Sequence, residues 1–273
     1  MNNKFQHFFR GNLNFHKPNL FCFHHAGGNA RVYHDWTKEK DVNIISIELP
    51  GRGQRIHEEL QTDDVKVTEE IASAIASLYQ KNSKKHRFSL FGHSLGAILA
   101  FSVAHILIEK YDLHPTCLFV AGRHAPQDID PSGYHSDMGE EALIEELKLI
   151  GETPLELLEN EEYCSFAIPI IYKDYKLSES FKATRKKLPI PIIAHFGKND
   201  IDASEKHMNN WQHVTTSNFK TEGFEGGHFF LLNKTLNYSS ILSKEMMKII
   251  KDIKPQETED DQPIILYDRG VIS

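Results

Sequence analysis

Short apolar runs alternate with longer segments of mixed apolar and polar residues along most of the chain. Several runs, such as PIPIIAHF, are continuously apolar, which is typical of strands buried on both faces of a sheet. We predict strands at 20–23, 42–48, 88–91, 116–121, 190–196 and 218–221, and helices at 30–37, 68–80, 95–110, 203–212 and 237–253. This alternation predicts an α/β fold, with a parallel sheet and crossover helices.

Residues 126–188 interrupt the alternation. They contain no convincing strand but several amphipathic helical pieces, such as MGEEALIEELKLIG. A helical insertion of this length is more often functional than not, so we expect a lid, although a second helical layer without a functional role is the alternative. We therefore predict a core formed by 1–125 and 189–253, a helical lid at 126–188, and a flexible tail at 254–273.

Composition excludes several classes of function. The net charge is −7 and no basic run exceeds four residues, which argues against a nucleic-acid partner. The three cysteines are widely spaced and form no C-x-x-C pair, so a disulfide framework and a structural zinc site are disfavoured. No apolar run approaches the ~20 residues that span a bilayer, and the N-terminus lacks a signal-like apolar region. We expect a cytoplasmic protein with no membrane partner.

The segment Gly-His-Ser-Leu-Gly at 92–96 fits the pattern G-x-S-x-G. The pattern alone is weak, but here it follows an apolar strand and opens an apolar helix. A nucleophilic serine in that context lies on a strained turn whose crowding only flanking glycines relieve. We predict that Ser94 is a nucleophile and that His93 and His105 are packing residues.

A serine hydroxyl needs a base, and the base needs a carboxylate that orients it. His228 lies in GFEGGHFF just past the last predicted strand, where two glycines allow a loop to bring an imidazole over the serine. Asp200 lies in HFGKND at the end of the preceding strand. The chain order Ser94, Asp200, His228 is typical of α/β-hydrolases.

Two other placements of the acid remain to be weighed. Asp202 is the rival, although the turn at Gly197 places Asp200 nearer the strand end. In some hydrolases the acid follows the earlier strand, here 116–121, but no carboxylate occurs there before Asp128. This second placement is therefore disfavoured.

The stretch FCFHHAGG at 21–28 follows the first predicted strand, where a hydrolase of this kind places one oxyanion donor. The backbone N–H of Ala26 is the expected donor and that of Leu95 the second. Gly27 and Gly28 permit close approach of the backbone to substrate. The neighbouring histidines of this stretch point opposite ways on an extended chain and lack further ligands, so no metal site is expected.

Seven segments together resemble the type II (external, editing) thioesterases of nonribosomal peptide and polyketide synthesis, in the same order: FCFHHAGGNARVYHDW, ELPGRGQR, LFGHSLGAILAF, VAGRHAP, IPIIYKDYKL, HFGKND and FEGGHFF. The resemblance spans about residues 9–253. It implies an α/β-hydrolase fold with a helical lid, the triad and oxyanion donors given above, and a substrate held as a thioester on the phosphopantetheine arm of an acyl or peptidyl carrier protein. It implies no cofactor, and we expect a monomer.

The lid would then select the acyl group. Its apolar residues Ile168, Ile171 and Tyr172 are candidates for the acyl site, although core packing is the usual role of such residues. Two other functions stay open: a lipase or small-ester esterase with the same triad, and a non-catalytic partner subunit of a synthase.

Two details of the resemblance concern loops. His24 stands where the family usually has proline, which would affect the rigidity of the oxyanion loop. The segment Pro-Gly-Arg-Gly at 50–53 is interpreted structurally, as a turn in which Arg52 or Arg55 holds loops by hydrogen bonds.

Overall fold

A computed structural model describes residues 7–253 apart from 12, 14, 82–85, 132, 152 and 185, so the tail predicted at 254–273 lies outside the described residues. Seven strands form one sheet: β1 (Phe9–Arg10), β2 (Asn19–Phe23), β3 (Asn43–Ile47), β4 (Phe88–His93), β5 (Leu118–Ala121), β6 (Ile192–Gly197) and β7 (Phe219–Phe224). Their order is β1-β3-β2-β4-β5-β6-β7. All neighbours are parallel except β1 and β3, which confirms the predicted, mostly parallel sheet.

Helices connect and cover these strands. The α-helices are α1 (Asp64–Lys81), α2 (Leu95–Tyr111), α3 (Gly139–Ile150), α4 (Leu155–Leu158), α5 (Glu161–Ser180), α6 (Glu205–Asn209) and α7 (Tyr238–Asp252). The helix predicted at 30–37 is a 3₁₀ helix, Ala30–Lys38, and the one predicted at 203–212 is the short α6 followed by the 3₁₀ helix Asn210–Val214. Over the part of the chain that the structure describes, no helix combines the length and apolar character needed to cross a membrane.

The two faces of the sheet are covered by different helices. Successive residues of a strand point to opposite faces. Phe21 and Phe23 of β2 therefore pack in the layer of α1 and α2, whereas Leu20 and Cys22 pack in the layer of the first 3₁₀ helix and α7. Both faces are buried, which explains why the strands are continuously apolar.

The insertion between β5 and β6 folds as helices α3, α4 and α5. They share a small apolar cluster formed by Tyr134, Leu143, Leu147, Leu158, Ile168 and Ile171. The C-terminal part of α5 packs elsewhere, since Leu177 belongs to the main core of the sheet. The insertion is therefore attached to the core through the end of its last helix. That it acts as a lid stays a prediction.

Candidate active site

The turn between β4 and α2 carries Ser94 in a backbone conformation of φ +55° and ψ −118°, which is rare for a residue with a side chain. A Cβ on Gly92 would lie 2.0 Å from the Gly96 carbonyl oxygen, and a Cβ on Gly96 would lie 2.2 Å from the Phe23 carbonyl oxygen. Both positions must be glycine, because β2, β4 and α2 approach more closely than any side chain permits. The Ser94 N–H also donates to the Ala121 carbonyl at 2.9 Å.

Asp200 and His228 form a hydrogen-bonded pair at the carboxyl ends of β6 and β7. His228 Nδ1 lies 2.9 Å from Asp200 Oδ2, and Oδ1 accepts the N–H groups of Ala203 and Asp202 at 3.0 and 3.2 Å. Burial by itself raises the pKa of Asp200, but the hydrogen bond and charge of His228 and the two backbone donors hold the net pKa below its ordinary value. The carboxylate therefore stays ionised and can orient the imidazole.

The rival carboxylate has a different environment. Asp202 lines the pocket beside His228, and burial together with the nearby charge of Asp200 raises its pKa. Within the described residues its side chain makes no hydrogen bond to the imidazole. The structure thus brings Asp200, and not Asp202, against the ring.

The loop that carries His228 is held from two directions. The space for a Cβ on Gly197 is filled by the Gly227 carbonyl oxygen, 2.1 Å away, so the loop lies directly on the end of β6. His93, next to Ser94, donates from Nε2 to the His228 carbonyl at 2.9 Å. His93 is fully buried, and burial lowers its pKa well below the ordinary value, so the ring is neutral. His93, predicted as a packing residue, also joins the serine turn to the histidine loop.

One pocket is lined by four of the residues predicted for the active site. Ser94, His228, Ala26 and Leu95 all line it, together with Gly122, Arg123, His124, Asp130, Ile150, Asp174, Tyr175, Ser178 and Asp202. Among the described contacts, no hydrogen bond joins the Ser94 hydroxyl to His228. Such bonds are often long in unliganded hydrolases and tighten on substrate binding.

Two backbone N–H groups at this pocket are available to a ligand. Across the described residues, neither the Ala26 N–H nor the Leu95 N–H has a hydrogen-bond partner. Leu95 is the first residue of α2, where a helix leaves its N–H groups unpaired and carries a partial positive charge. The arrangement can stabilise a developing oxyanion.

Gly27 of the oxyanion loop, which comprises residues 24–28, contacts the insertion rather than open space. The Gly27 N–H donates to Asp174 Oδ2 of α5 at 2.7 Å, and a Cβ on Gly27 would lie 2.6 Å from Ile171 Cγ1. The backbone at Gly27 has φ +74°, a value that favours glycine. Helix α5 therefore lies directly on the loop.

A buried ion pair completes this contact. Arg52 Nη1 and Nη2 donate to the two carboxylate oxygens of Asp174 at 2.6 and 2.7 Å, and Nη1 also lies 3.3 Å from the Gly28 carbonyl oxygen. Both side chains are almost fully buried. Arg52 was expected to hold loops by hydrogen bonds, and in the structure it joins the 50–53 turn, the oxyanion loop and α5.

The candidate acyl-site residues lie outside the pocket of Ser94, although Ile171 borders the oxyanion loop at Gly27. Ile168 and Ile171 pack in the cluster of the insertion, and the Tyr172 ring lies 4.7 Å from Lys176 Nζ. None of the three lines the pocket of Ser94, so their role in substrate binding stays a prediction. Helix α5 instead contributes Asp174, Tyr175 and Ser178 to the pocket, none of which is among the site residues predicted from the sequence.

The paired histidines serve the loop. His24 is buried and its Nδ1 donates to the His25 carbonyl at 2.8 Å. Burial lowers the pKa of each of these histidines to about 3, so both are neutral. The His25 ring packs edge-on against Phe229 at 4.7 Å.

A different group of side chains has metal-like spacing. The ligand atoms of His195, Glu222 and Glu245 lie within 4.8 Å of one another, and none of these residues lines the pocket of Ser94. The Lys220 ammonium already binds both carboxylates. We therefore assign no metal to this group.

Comparison with known proteins gives consistent similarities. The family model described as thioesterase domain matches residues 18–245. The chain is similar to Linear gramicidin dehydrogenase LgrE of Brevibacillus parabrevis, with 30% identity over 237 residues that cover 85% of this chain and 88% of that protein. It is also similar to Thioesterase PikA5 of Streptomyces venezuelae, with 30% identity, 78% of this chain and 75% of that protein. The type II thioesterase BorB from the borrelidin biosynthetic cluster matches in structure with a TM-score of 0.72 and 28% identity, over 88% of this chain and 98% of that chain.

Proposed function

The chain belongs to the thioesterase domain family and has the α/β-hydrolase fold, and on that premise we propose that it is a serine thioesterase. The substrates are acyl or aminoacyl groups held as thioesters on the phosphopantetheine arm of a carrier protein in nonribosomal peptide or polyketide synthesis. Removal of stalled groups or release of a product would be its task. Relatives such as PikA5 and BorB, whose names give thioesterases, support this substrate class.

One observation carries the proposal. The strained serine of the β4–α2 turn shares a pocket with an imidazole that is hydrogen-bonded to a buried, ionised carboxylate. The name of LgrE gives a dehydrogenase. A serine, histidine and aspartate in this arrangement serve hydrolysis by nucleophilic catalysis, so oxidation and reduction are not proposed for this chain.

The proposed reaction has two steps. The Ser94 hydroxyl attacks the thioester carbonyl while His228 Nε2 takes its proton, since Nδ1 is bound to Asp200. The resulting oxyanion accepts hydrogen bonds from the N–H groups of Ala26 and Leu95, and the C–S bond breaks as His228 gives its proton to the departing sulfur, which releases the thiol of the arm. Water then attacks the acyl-serine and gives a proton to His228, which passes it to the Ser94 oxygen as the acyl C–O bond breaks, so that the free acid and the serine hydroxyl are formed.

Several further properties belong to the same proposal. The carrier protein is the partner, and neither a nucleic acid nor a membrane is needed. All three cysteines carry free thiols, which supports a cytoplasmic location. We expect a monomer without a cofactor.

The test is release of free acid from one carrier protein loaded in turn with acetyl, longer acyl and aminoacyl groups. Ser94→Ala should lose activity by about 10⁴-fold or more, because the nucleophile is removed. The matched control is Ser77→Ala, which should retain the parent rate, because Ser77 is a half-buried helix serine whose hydroxyl donates to the Ala74 carbonyl of its own helix.

The alternatives give different results in the same assay. If oxygen esters are turned over with a much larger kcat/KM than carrier thioesters, the protein is an esterase. If Ser94→Ala supports synthase output as well as the parent does, the protein acts as a non-catalytic partner.

A further inference from the structure

A buried carboxylate, that of Asp174, joins helix α5 to the oxyanion loop by hydrogen bonds. We propose that Asp174 is a positioning residue that holds the oxyanion loop in its working shape from the inserted helix. The inference rests on the proposed function, since it concerns the same reaction. It assigns a role in catalysis to the insertion that does not depend on substrate contact.

The Asp174 carboxylate accepts three hydrogen bonds. Oδ2 accepts the Gly27 N–H at 2.7 Å and Arg52 Nη1 at 2.6 Å, and Oδ1 accepts Arg52 Nη2 at 2.7 Å. The carboxylate is completely buried. A buried charge is tolerated when it is paired and hydrogen-bonded, and here two of the three donors belong to the guanidinium and one to the loop. The buried carboxylate of Asp174 therefore depends on the oxyanion loop for one of its three hydrogen bonds.

The contact acts on the peptide groups that flank Ala26. The His25 carbonyl accepts both His24 Nδ1–H at 2.8 Å and the Gly28 N–H at 3.1 Å. In a trans peptide the N–H points opposite to the carbonyl, so these bonds direct the Ala26 N–H to the other side. The next peptide group carries the Gly27 N–H, which Asp174 holds. Both peptide planes around the proposed oxyanion donor are therefore fixed.

The loop requires such support because two of its residues are glycines. Glycine loses more conformational freedom on ordering than any other residue, and Gly27 adopts a positive φ that only external contacts select over other conformations. Arg52 extends the support, since its Nη1 approaches the Gly28 carbonyl and its Nε approaches the Pro50 carbonyl, both at 3.3 Å. Without Asp174 the N–H of Gly27 would lose its acceptor, and the guanidinium would lose its carboxylate and keep only the two longer contacts to backbone carbonyls.

Three variants separate positioning from mere support of the fold. Asp174→Leu removes the acceptor and the charge. Asp174→Asn keeps an acceptor for the Gly27 N–H without the charge. Arg52→Met combined with Asp174→Leu removes both charges and leaves neither unpaired, which often restores the stability lost when one partner of a buried ion pair is deleted.

The assay is hydrolysis of an acyl-carrier thioester, with kcat, KM and thermal unfolding measured for each variant. For Asp174→Leu we expect kcat to fall about 10²-fold with KM changed less than about threefold, because one oxyanion donor contributes about 10²- to 10³-fold in rate. Asp174→Asn should keep more of kcat than Asp174→Leu. The double variant should recover Tm towards the parent while kcat stays low.

The matched control is Asp64→Asn. Asp64 is also a buried carboxylate at the contact between α5 and the core, where its backbone N–H donates to the Ser180 hydroxyl, but it does not touch the oxyanion loop. We expect parental kcat for this control.

The outcomes distinguish the two proposals. The positioning role would be overturned if both Asp174→Asn and the folded double variant had the parental kcat. It would also be overturned if kcat of the double variant recovered together with its Tm. Neither result would contradict the proposed function. If Asp174→Leu does not fold, Asp174→Asn and the double variant still decide the question. If the parent releases no acid from any loaded carrier, the proposed function itself fails.

Discussion

The two sides of the candidate active site are held by different kinds of contact. On the side of the sheet, the turn of Ser94 and the loop of His228 are positioned by close backbone approach at glycines and by bonds within a few residues of each strand end. On the opposite side, the oxyanion loop is positioned by charged side chains. Asp174 is 122 residues from Arg52 and 147 from Gly27.

This difference separates two ways of making a site precise. Backbone contacts at strand ends come with the fold, since a parallel sheet places its carboxyl ends together. The loop side becomes complete only when the insertion has folded onto the core. We therefore expect substitutions on the sheet side to lower either kcat or the stability of the fold directly. On the loop side we expect variants in which kcat falls although the stability is retained or restored.

The largest predicted effect is on the sheet side. Asp200→Asn should lower kcat by about 10⁴-fold, because the amide holds the imidazole in the wrong tautomer while preserving the shape of the site. Asp202→Asn should change kcat by less than about tenfold, since its side chain is not bonded to His228. Both are measured as acid release from one acyl-carrier substrate.

Asp202→Asn is the matched control for this prediction, because it removes a carboxylate two residues away in the same pocket. A larger loss in Asp202→Asn than in Asp200→Asn would reverse the assignment of the acid. It would also show that the hydrogen bonds at the end of β6 do not determine which carboxylate orients His228.

The second prediction concerns folding. In Gly96→Ala the new Cβ would lie 2.2 Å from the Phe23 carbonyl oxygen and 2.8 Å from the His24 carbonyl oxygen, and neither backbone atom can move without displacing β2. We expect a loss of about 3 kcal/mol or more in the free energy of unfolding, measured with urea. Activity should fall with it, because the oxyanion loop continues from β2.

The control for this glycine is Gly133→Ala. Its Cβ would meet no atom within 4 Å, so the free energy of unfolding should change by less than about 0.5 kcal/mol. Equal stability of the two variants would show that the serine turn is not constrained by the close approach of β2 and α2.

The same contrast explains what could be predicted from the sequence. The serine turn lies in a short motif between a strand and a helix, and Asp200 and His228 lie just past strand ends, so local pattern was sufficient to select them. Strand β1 was missed because two residues carry no periodicity, and the pattern at 30–37 predicted a helix but not its 3₁₀ type, since apolar spacing does not distinguish 3₁₀ from α geometry.

The ion pair of the loop side could not be predicted in the same way. Nothing in local pattern states which of the many charges on the chain will meet Arg52. One signal was present: Asp174 lies three residues from both Ile171 and Leu177, which places a charge on the apolar face of α5. A charge in that position needs a buried partner. The sequence therefore singles out Asp174, but it does not indicate that Arg52 is its partner.

The smallest predicted effect tests a property that the two sides share. His24 on the loop side and His93 on the sheet side are both buried, neutral and bonded to a backbone carbonyl. Burial lowers the pKa of His24 to about 3 and that of His93 well below its ordinary value. Between those values and the unfolded pKa of about 6.5, the unfolded chain binds the extra proton, so stability falls as the pH drops below about 6.5.

At pH 5 the folded pKa of His24 lies well below the solution pH, so the loss from His24 depends on the unfolded pKa alone and should be about 2 kcal/mol relative to pH 8, and the contribution of His93 has the same sign. Urea unfolding of His24→Gln and of His93→Gln from pH 8 to pH 5 should therefore show a flatter pH dependence than that of the parent. The control is His213→Gln, which removes an imidazole that folding leaves exposed. If only one of the two buried variants flattens the curve, the two sides differ in their response to acid as well as in how they are held.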